Sequence, residues 1–424
     1  MTNSVPSNPT TNQLSRRPLS RMVRGRWMLI GGCLLLLLFA FHGQEWVASF
    51  AHWRGRVALD ARQLDAAYSW FALADHFDSG HGVHEFAMAR VERLRGRSDR
   101  MQAHLDSAVR DGLARERAHR EQILAQAQSG HIHQVERALS VMLMSPGDDG
   151  PTICEAMASG YLAVFRLSEA MAILEGWSRD YPSDPQPMVV RGLYFSQRQA
   201  WAQAAAEFEK ALDLAPRRDD VRVHWAEALR NLHRLDLARE QFERASKTLA
   251  GSPAVWVGLG RCHMEAGRLT EAGKAFEEAI RISPDSWDGR FWLGKLLATE
   301  GDHARAVPML EAAYRERPFE PDVRYSLALA LQAAGQSDEA RRHFDYIAAQ
   351  QKAQSELRNK LEVLERDPSR IELRYEIGMI LMEYGNPQEG VNWLQSVLDI
   401  EPEHAGALAA VKRYSGPKPV ASPE

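Results

Sequence analysis

One spacing constrains this chain more than any other. The positions Leu259, Gly260, Gly267, Ala272, Phe276, Ala279 and Pro284 make a set of large apolar, small and turn residues. The set returns 34 residues later as Leu293, Gly294, Gly301, Ala306, Leu310, Ala313 and Pro318. It is present upstream at Gly192, Ala204, Phe208, Ala211 and Pro216, and at Ala226, Ala238, Phe242 and Ala245. It holds again at Ala158, Tyr161, Ala170, Leu174 and Pro182, and at Leu327, Ala328, Gly335, Ala340 and Phe344. A fixed period of this length is the mark of a stacked array, because one unit cannot bury its apolar face alone. Each unit reads as two antiparallel amphipathic helices. Gly260 or Gly294 in the first helix and Ala272 or Ala306 in the second sit where backbones approach closely. Leu259 and Phe276 fill the space between. Gly267, Gly301 and Gly335 end the first helix in the left-handed conformation that glycine tolerates. Pro284 and Pro318 fall in the links, where a missing N–H does least harm.

These residues and offsets resemble the tetratricopeptide repeat (TPR) family, and the layout resembles its membrane-anchored bacterial members. The resemblance implies an all-α fold: a right-handed α-solenoid of about ten 34-residue helix–turn–helix repeats, preceded by one N-terminal transmembrane helix. Counting the register gives degenerate repeats over 48–149, six repeats over 151–354, a helical insert at 355–370 and a tenth repeat at 371–404. Residues 405–424 read as a capping helix and a Pro-rich tail. The ten repeats occupy 340 of the 424 residues, which leaves no room for a separate catalytic domain. A non-enzyme is therefore expected.

Ahead of the repeats, residues 1–26 are polar and carry Arg16, Arg17, Arg21, Arg24 and Arg26 without an acidic residue. Residues 27–41 are an apolar run, and the segment 27–47 is expected to be a transmembrane anchor. Trp27 and Trp46 would mark its two interfaces, about 28 Å apart along a helix. Arginines outnumber those that follow, Arg54 and Arg56, which places the N-terminus in the cytoplasm and the repeats outside a cell (inner) membrane. Cleavage after Ala51 and lipid attachment at Cys33 are the competing readings.

Ser337 to Asp367 contains no Gly or Pro, so the ninth repeat's second helix is expected to run on for about 30 residues. Leu357, Leu361 and Leu364 form a stripe on it. The stripe either packs on its own solenoid or projects and mediates self-association through 337–367.

Function, on this reading, lies in the groove lined by first helices, which in this family usually receives a peptide or protein segment. The slots that face it carry Val223, Val257, Phe291 and Tyr325, then Glu227, Arg261 and Lys295, then Arg230 and Met264. Other proteins or peptide segments are the expected partners. The Lys/Asn/Arg carboxylate clamp of chaperone adaptors is absent from the first two slots, and the Asn ladder of sugar-transferase members is absent from its matching slot, which carries Val190, His224, Gly258, Trp292 and Ser326. The expected role is a protein-binding scaffold or assembly factor. The alternative is an accessory subunit of a membrane-bound enzyme system of the polysaccharide-export or cytochrome-maturation type.

The net charge of −4 offers nothing for nucleic acid. No Cys-x-x-Cys occurs among the three cysteines, Cys33, Cys154 and Cys262. The pairs Asp75-His76, His81 with His84, and His131 with His133 lack a third ligand. In Gly260-Arg261-Cys262-His263-Met264-Glu265, neighbouring side chains point about 100° apart and cannot converge on one ion. No catalytic residue, cofactor or metal is expected. Cys262 and His263 are expected to pack between helices, with Arg261, Met264 and Glu265 facing the groove.

Overall fold

The computed structural model describes residues 43–78 and 82–415. No strand occurs among them, and helices follow one another in pairs. α1 is helical from 43 to 60. It is followed by α2 (Leu64–Phe77), α3 (Val83–Leu94) and α4 (Ser98–Arg110). Next come α5 (Arg115–Gln128), α6 (Ile132–Met144), α7 (Gly150–Ala163) and α8 (Leu167–Asp180). The middle of the chain holds α9 (Gln186–Gln197), α10 (Trp201–Leu214), α11 (Asp219–Asn231) and α12 (Leu235–Ala245). Then follow α13 (Pro253–Glu265), α14 (Leu269–Ile282), α15 (Trp287–Thr299) and α16 (His303–Glu316). The last five are α17 (Pro321–Ala333), α18 (Ser337–Arg366), α19 (Ile371–Tyr384), α20 (Pro387–Ile400) and α21 (Ala405–Ser415). This is an all-helical solenoid. Most of the anchor expected at 27–47 lies outside the described residues, as do 1–26 and the end of the tail. Among the described residues no helix is long and apolar enough to cross a membrane.

The described residues form two compact units. One takes 43–78, 82–91 and 103–113, and the other takes 92–102 and 114–415. In the first, Ala58, Ala67, Phe71, Met88 and Val91 share a core. In the second, successive pairs bury Phe208, Phe242, Phe276 and Leu310 completely or nearly so.

In five of the pairs the spacing is set by a glycine facing a large residue. A Cβ added to Gly260 would lie 2.3 Å from the Phe276 ring, and one on Gly192 would lie 2.5 Å from Phe208. Gly294 faces Leu310 and Gly378 faces Leu394 in the same way, at 2.8 Å each. Between first and second helix the chain turns through one left-handed residue. Gly267, Gly301 and Gly335 take it at φ of 74°, 83° and 84°. In the same register Phe165, Gln199 and His233 also adopt it, at 59°, 56° and 57°.

A second device was present in the sequence and not recognised there. Arginine stands six residues after the link proline, at Arg222, Arg290, Arg324 and Arg374. Arg324 and Arg374 donate from Nη2 to the carbonyls of Pro318 and Pro368, each at 2.9 Å, and Arg222 donates likewise to Pro216. The guanidinium ties the end of one repeat to the start of the next.

The second unit does not remain a simple row. The chain's tenth helix pair, α19–α20, and the end of α18 return to the third, fourth and fifth pairs. The Phe165 and Trp393 rings lie 4.6 Å apart, and buried Arg374 donates to the Val164 carbonyl at 3.3 Å. Arg198 pairs with Glu365 at 2.7 Å and Gln134 donates to Asp399 at 2.6 Å. Helix α18 makes this possible. It runs on to Arg366, and Leu357, Leu361 and Leu364 pack in one cluster with Phe165, Ile377, Leu381 and Trp393. The stripe therefore packs on its own solenoid. The projecting-helix alternative fails at these leucines, because α19, α20 and the Phe165 turn already cover them.

Two outcomes follow from this packing. Replacing a mid-helix glycine by alanine normally stabilises by roughly 0.5–1 kcal/mol. Gly260→Ala should instead destabilise by about 1–3 kcal/mol in urea unfolding, because the methyl overpacks against Phe276. Adding Phe276→Leu should recover part of the loss. Trp393→Ala should cost about 3–5 kcal/mol and also raise amide exchange at Val164–Arg166, the turn it covers. A change confined to α19 and α20 would mean the closure carries no stability.

Candidate functional site

Successive first helices of the second unit touch one another, from α7 through α17. Successive second helices do so far less, so the array bends towards its first-helix layer. On that layer the charged residues of α11, α13 and α15 meet. Glu227 Oε1 accepts from Arg230 and from Arg261, each at 2.7 Å. Arg230 also pairs with Glu265. Arg261 lies 4.5 Å from the Trp292 ring centroid, and Lys295 Nζ lies 4.9 Å from the same ring. Trp292 is fixed against Phe276, at 6.3 Å, and Phe291, at 5.0 Å. The assembly is a chain of alternating charges ending on an aromatic plate.

Two pKa shifts describe it. Burial alone would raise the Glu227 carboxyl, but the Arg230 hydrogen bonds and the Arg261 charge outweigh it and hold it below its ordinary value. Burial raises Asp288, and the nearby Arg261 only partly offsets this. Sequence reasoning missed Asp288 and Trp292 as neighbours of the cluster. The i, i+34 spacing of Glu227 and Arg261 was the available signal, since equivalent positions on adjacent first helices face each other.

The expected groove residues separate into three groups. Glu227, Arg230, Arg261 and Lys295 come together as described. Val257 and Phe291 are buried, at 2% and 4% exposure, and Val223 and Met264 are half-buried in the same kind of core. The apolar ribbon is therefore inter-repeat packing at these positions: Phe291 lies among Val307, Leu310, Val323 and Leu327, between two repeats. Tyr325 alone of that slot is open, at 49%. Leu329, one turn on, is 43% exposed, and Met379 on α19 is 36%. The cause is the long α18. It carries the chain on, so that α19 does not cover α17 as α17 covers α15.

Cys262 is buried, and desolvation pushes its thiol up to about 12. His263 is half-buried, its Nδ1 has no hydrogen-bond partner, and burial lowers its pKa. Neither is a nucleophile in waiting. His84 faces His52, Nδ1 to Nδ1 at 3.0 Å, and His131 faces Ser129. His81 lies outside the described residues. Among those residues no group of three His, Cys, Asp or Glu is placed to hold a metal ion.

Residues 223–287 and 297–362 match family models, both described as tetratricopeptide repeat. These two segments, under a third of the chain, thus match tetratricopeptide repeats. It is 23% identical over 175 residues to the CTR9 homolog of Arabidopsis thaliana, covering 40% of this chain and 15% of that protein. It is 30% identical over 99 residues to Superkiller protein 3 of Schizosaccharomyces pombe, covering 23% and 7%. The chain thus spans only a small part of the length of these relatives. Among solved structures, the APC/C hetero-tetramer Cut9-Hcn1 aligns with a TM-score of 0.44 at 14% identity, covering 86% of this chain and 76% of that one.

The cluster makes a pH-dependent prediction. Glu227 has a lowered folded-state pKa, so its stabilisation is present above its unfolded value near 4.5 and is lost as pH falls through the lower folded value. Glu227→Gln should cost about 1–3 kcal/mol near neutral pH, because it leaves buried Arg230 and half-buried Arg261 underpaired. The gap between wild type and variant should shrink towards about pH 3 in urea titrations. A gap independent of pH would refute the ion-pair origin.

Proposed function

We propose that this protein is a non-enzymatic scaffold that binds a segment of another protein on the first-helix layer of its second unit. The observation that carries this reading is the opening between α17 and α19, where Tyr325, Leu329 and Met379 are exposed beside a layer otherwise closed by packing. Exposed large apolar side chains on adjacent helices suit an extended or helical segment with its own apolar side chains. Lys295 adds a cation held over Trp292, complementary to a carboxylate on the same segment. The Glu227–Arg230–Arg261–Glu265 cluster is internally balanced, so it would fix register more than supply affinity. Anchoring through 27–47, with the repeats on the extracytoplasmic side, is part of the proposal. So is the second role, accessory subunit to a membrane-bound enzyme, which shares this surface.

The test is site-specific photocrosslinking in cells. A photoreactive side chain at Tyr325, Leu329 or Met379 should give discrete adducts with one protein. The same group at Leu214 or Leu237, exposed on second helices, should not. Leu329→Asp should abolish the adduct formed from Met379 without changing helix content. Equal adducts from both layers would refute the reading. If the adduct is a stoichiometric membrane enzyme, the accessory role follows.

A further inference from the structure

Helix α1, the first described helix, carries apolar residues on two faces. Ala48, Ala51 and Ala58 point inward and are buried, and Gly55 receives the Phe71 ring. Trp46, Phe50, Trp53 and Val57 recur at helical spacing on the opposite side, with exposures of 74%, 55%, 55% and 45%. Phe50 meets Trp70 edge-on at 6.2 Å, and Leu73 of α2 is also exposed, so the patch extends beyond one helix. The end of a repeat array needs a polar outer face to stay soluble. This one presents two indoles, a phenyl ring and a valine.

We propose that this outer face of α1 lies in the interfacial layer of a phospholipid bilayer. The chemistry is that of a membrane-water interface. Indole combines a large apolar body with one polar N–H and partitions to the headgroup level. Arg54 and Arg56 are exposed on the same helix, and Arg54 stacks over Trp70 at 5.3 Å, which suits anionic headgroups. Chain continuity supplies the second argument. The apolar run 27–41 ends two residues before α1's first described residue, so any bilayer holding that run is already at the base of the stripe. A second copy or a partner helix would also cover apolar area, but neither explains the two tryptophans flanked by arginine beside an apolar run. The inference rests on the anchor reading and is separable from it.

The experiment uses the full chain with Cys33→Ser, reconstituted in vesicles of three parts phosphatidylcholine to one part phosphatidylglycerol. Nitroxide labels are placed singly through Phe50→Cys, Trp53→Cys and Val57→Cys, with Ser49→Cys and Arg56→Cys off the stripe. Cys154 and Cys262 are buried and stay unlabelled in the folded chain. The ratio of collisions with oxygen to collisions with a water-soluble nickel chelate should be severalfold higher on the stripe than off it. Vesicle insertion with stripe labels open to nickel would overturn the proposal and leave the anchor standing. Labels closed to both reagents would give the face to protein, and spin–spin broadening would identify that protein as a second copy; either overturns the proposal. Failure to associate with vesicles would overturn the proposal and the anchor together.

Discussion

Five of the helix pairs depend on the approach of one backbone to one large side chain. The Phe276 ring occupies the space that a Cβ on Gly260 would need, and Phe208 does the same to Gly192. A first helix without side-chain bulk at that point lets the second helix seat its ring against bare backbone, at close-packed density. That contact fixes the distance between the helices. With the distance fixed, the left-handed turn and the arginine tie from the next repeat fall at constant offsets. The array can then propagate without long-range instruction, because each repeat needs only its neighbour.

Much of this was legible in the sequence because it is local and periodic. Gly260 and Phe276 recur with their partners at a fixed offset, so one pair predicts the next. The burial of Cys262 followed from its helical position. The groove was read less well, for a physical reason. Its slots were assigned by register alone, and register cannot say whether the next first helix covers a side chain. It covers Val257 and Phe291 and leaves Tyr325 open. The partners within the charged cluster were likewise invisible, although Glu227 and Arg261 stand one repeat apart. The proline–arginine tie was in plain sight as a six-residue spacing, but spacing alone does not show that a guanidinium reaches back to a carbonyl.

The closure of the second unit was the least legible feature. It joins residues separated by more than 200 positions, Val164 with Arg374 and Gln134 with Asp399. No local pattern encodes such a contact. It does, however, explain two oddities. Phe165 occupies a left-handed position where glycine stands in several other repeats, at a cost of order 1–3 kcal/mol. Its ring is the side chain that stacks on Trp393. Arg374 keeps the ordinary tie to Pro368 and uses its second amino group to reach Val164, so a repeat-to-repeat device also serves the closure.

The insert links closure and exposure. By prolonging α18 to 30 residues it supplies Leu357, Leu361 and Leu364 to the closing cluster. The same prolongation moves α19 off α17 and opens Tyr325 and Leu329. Shortening α18 to repeat length would remove both at once: the leucine support for Trp393 and the gap on the first-helix layer. The first and last described helices differ in the same spirit, each within its own unit. At the C-terminal end α21 packs Ala407 into a core with Leu394 and Val397, as a cap should. At the N-terminal end α1 turns tryptophan outward. α21 covers the core beside it while α1 keeps Trp46, Phe50 and Trp53 exposed, so the residues that break the repeat's rules mark the face left open to another surface.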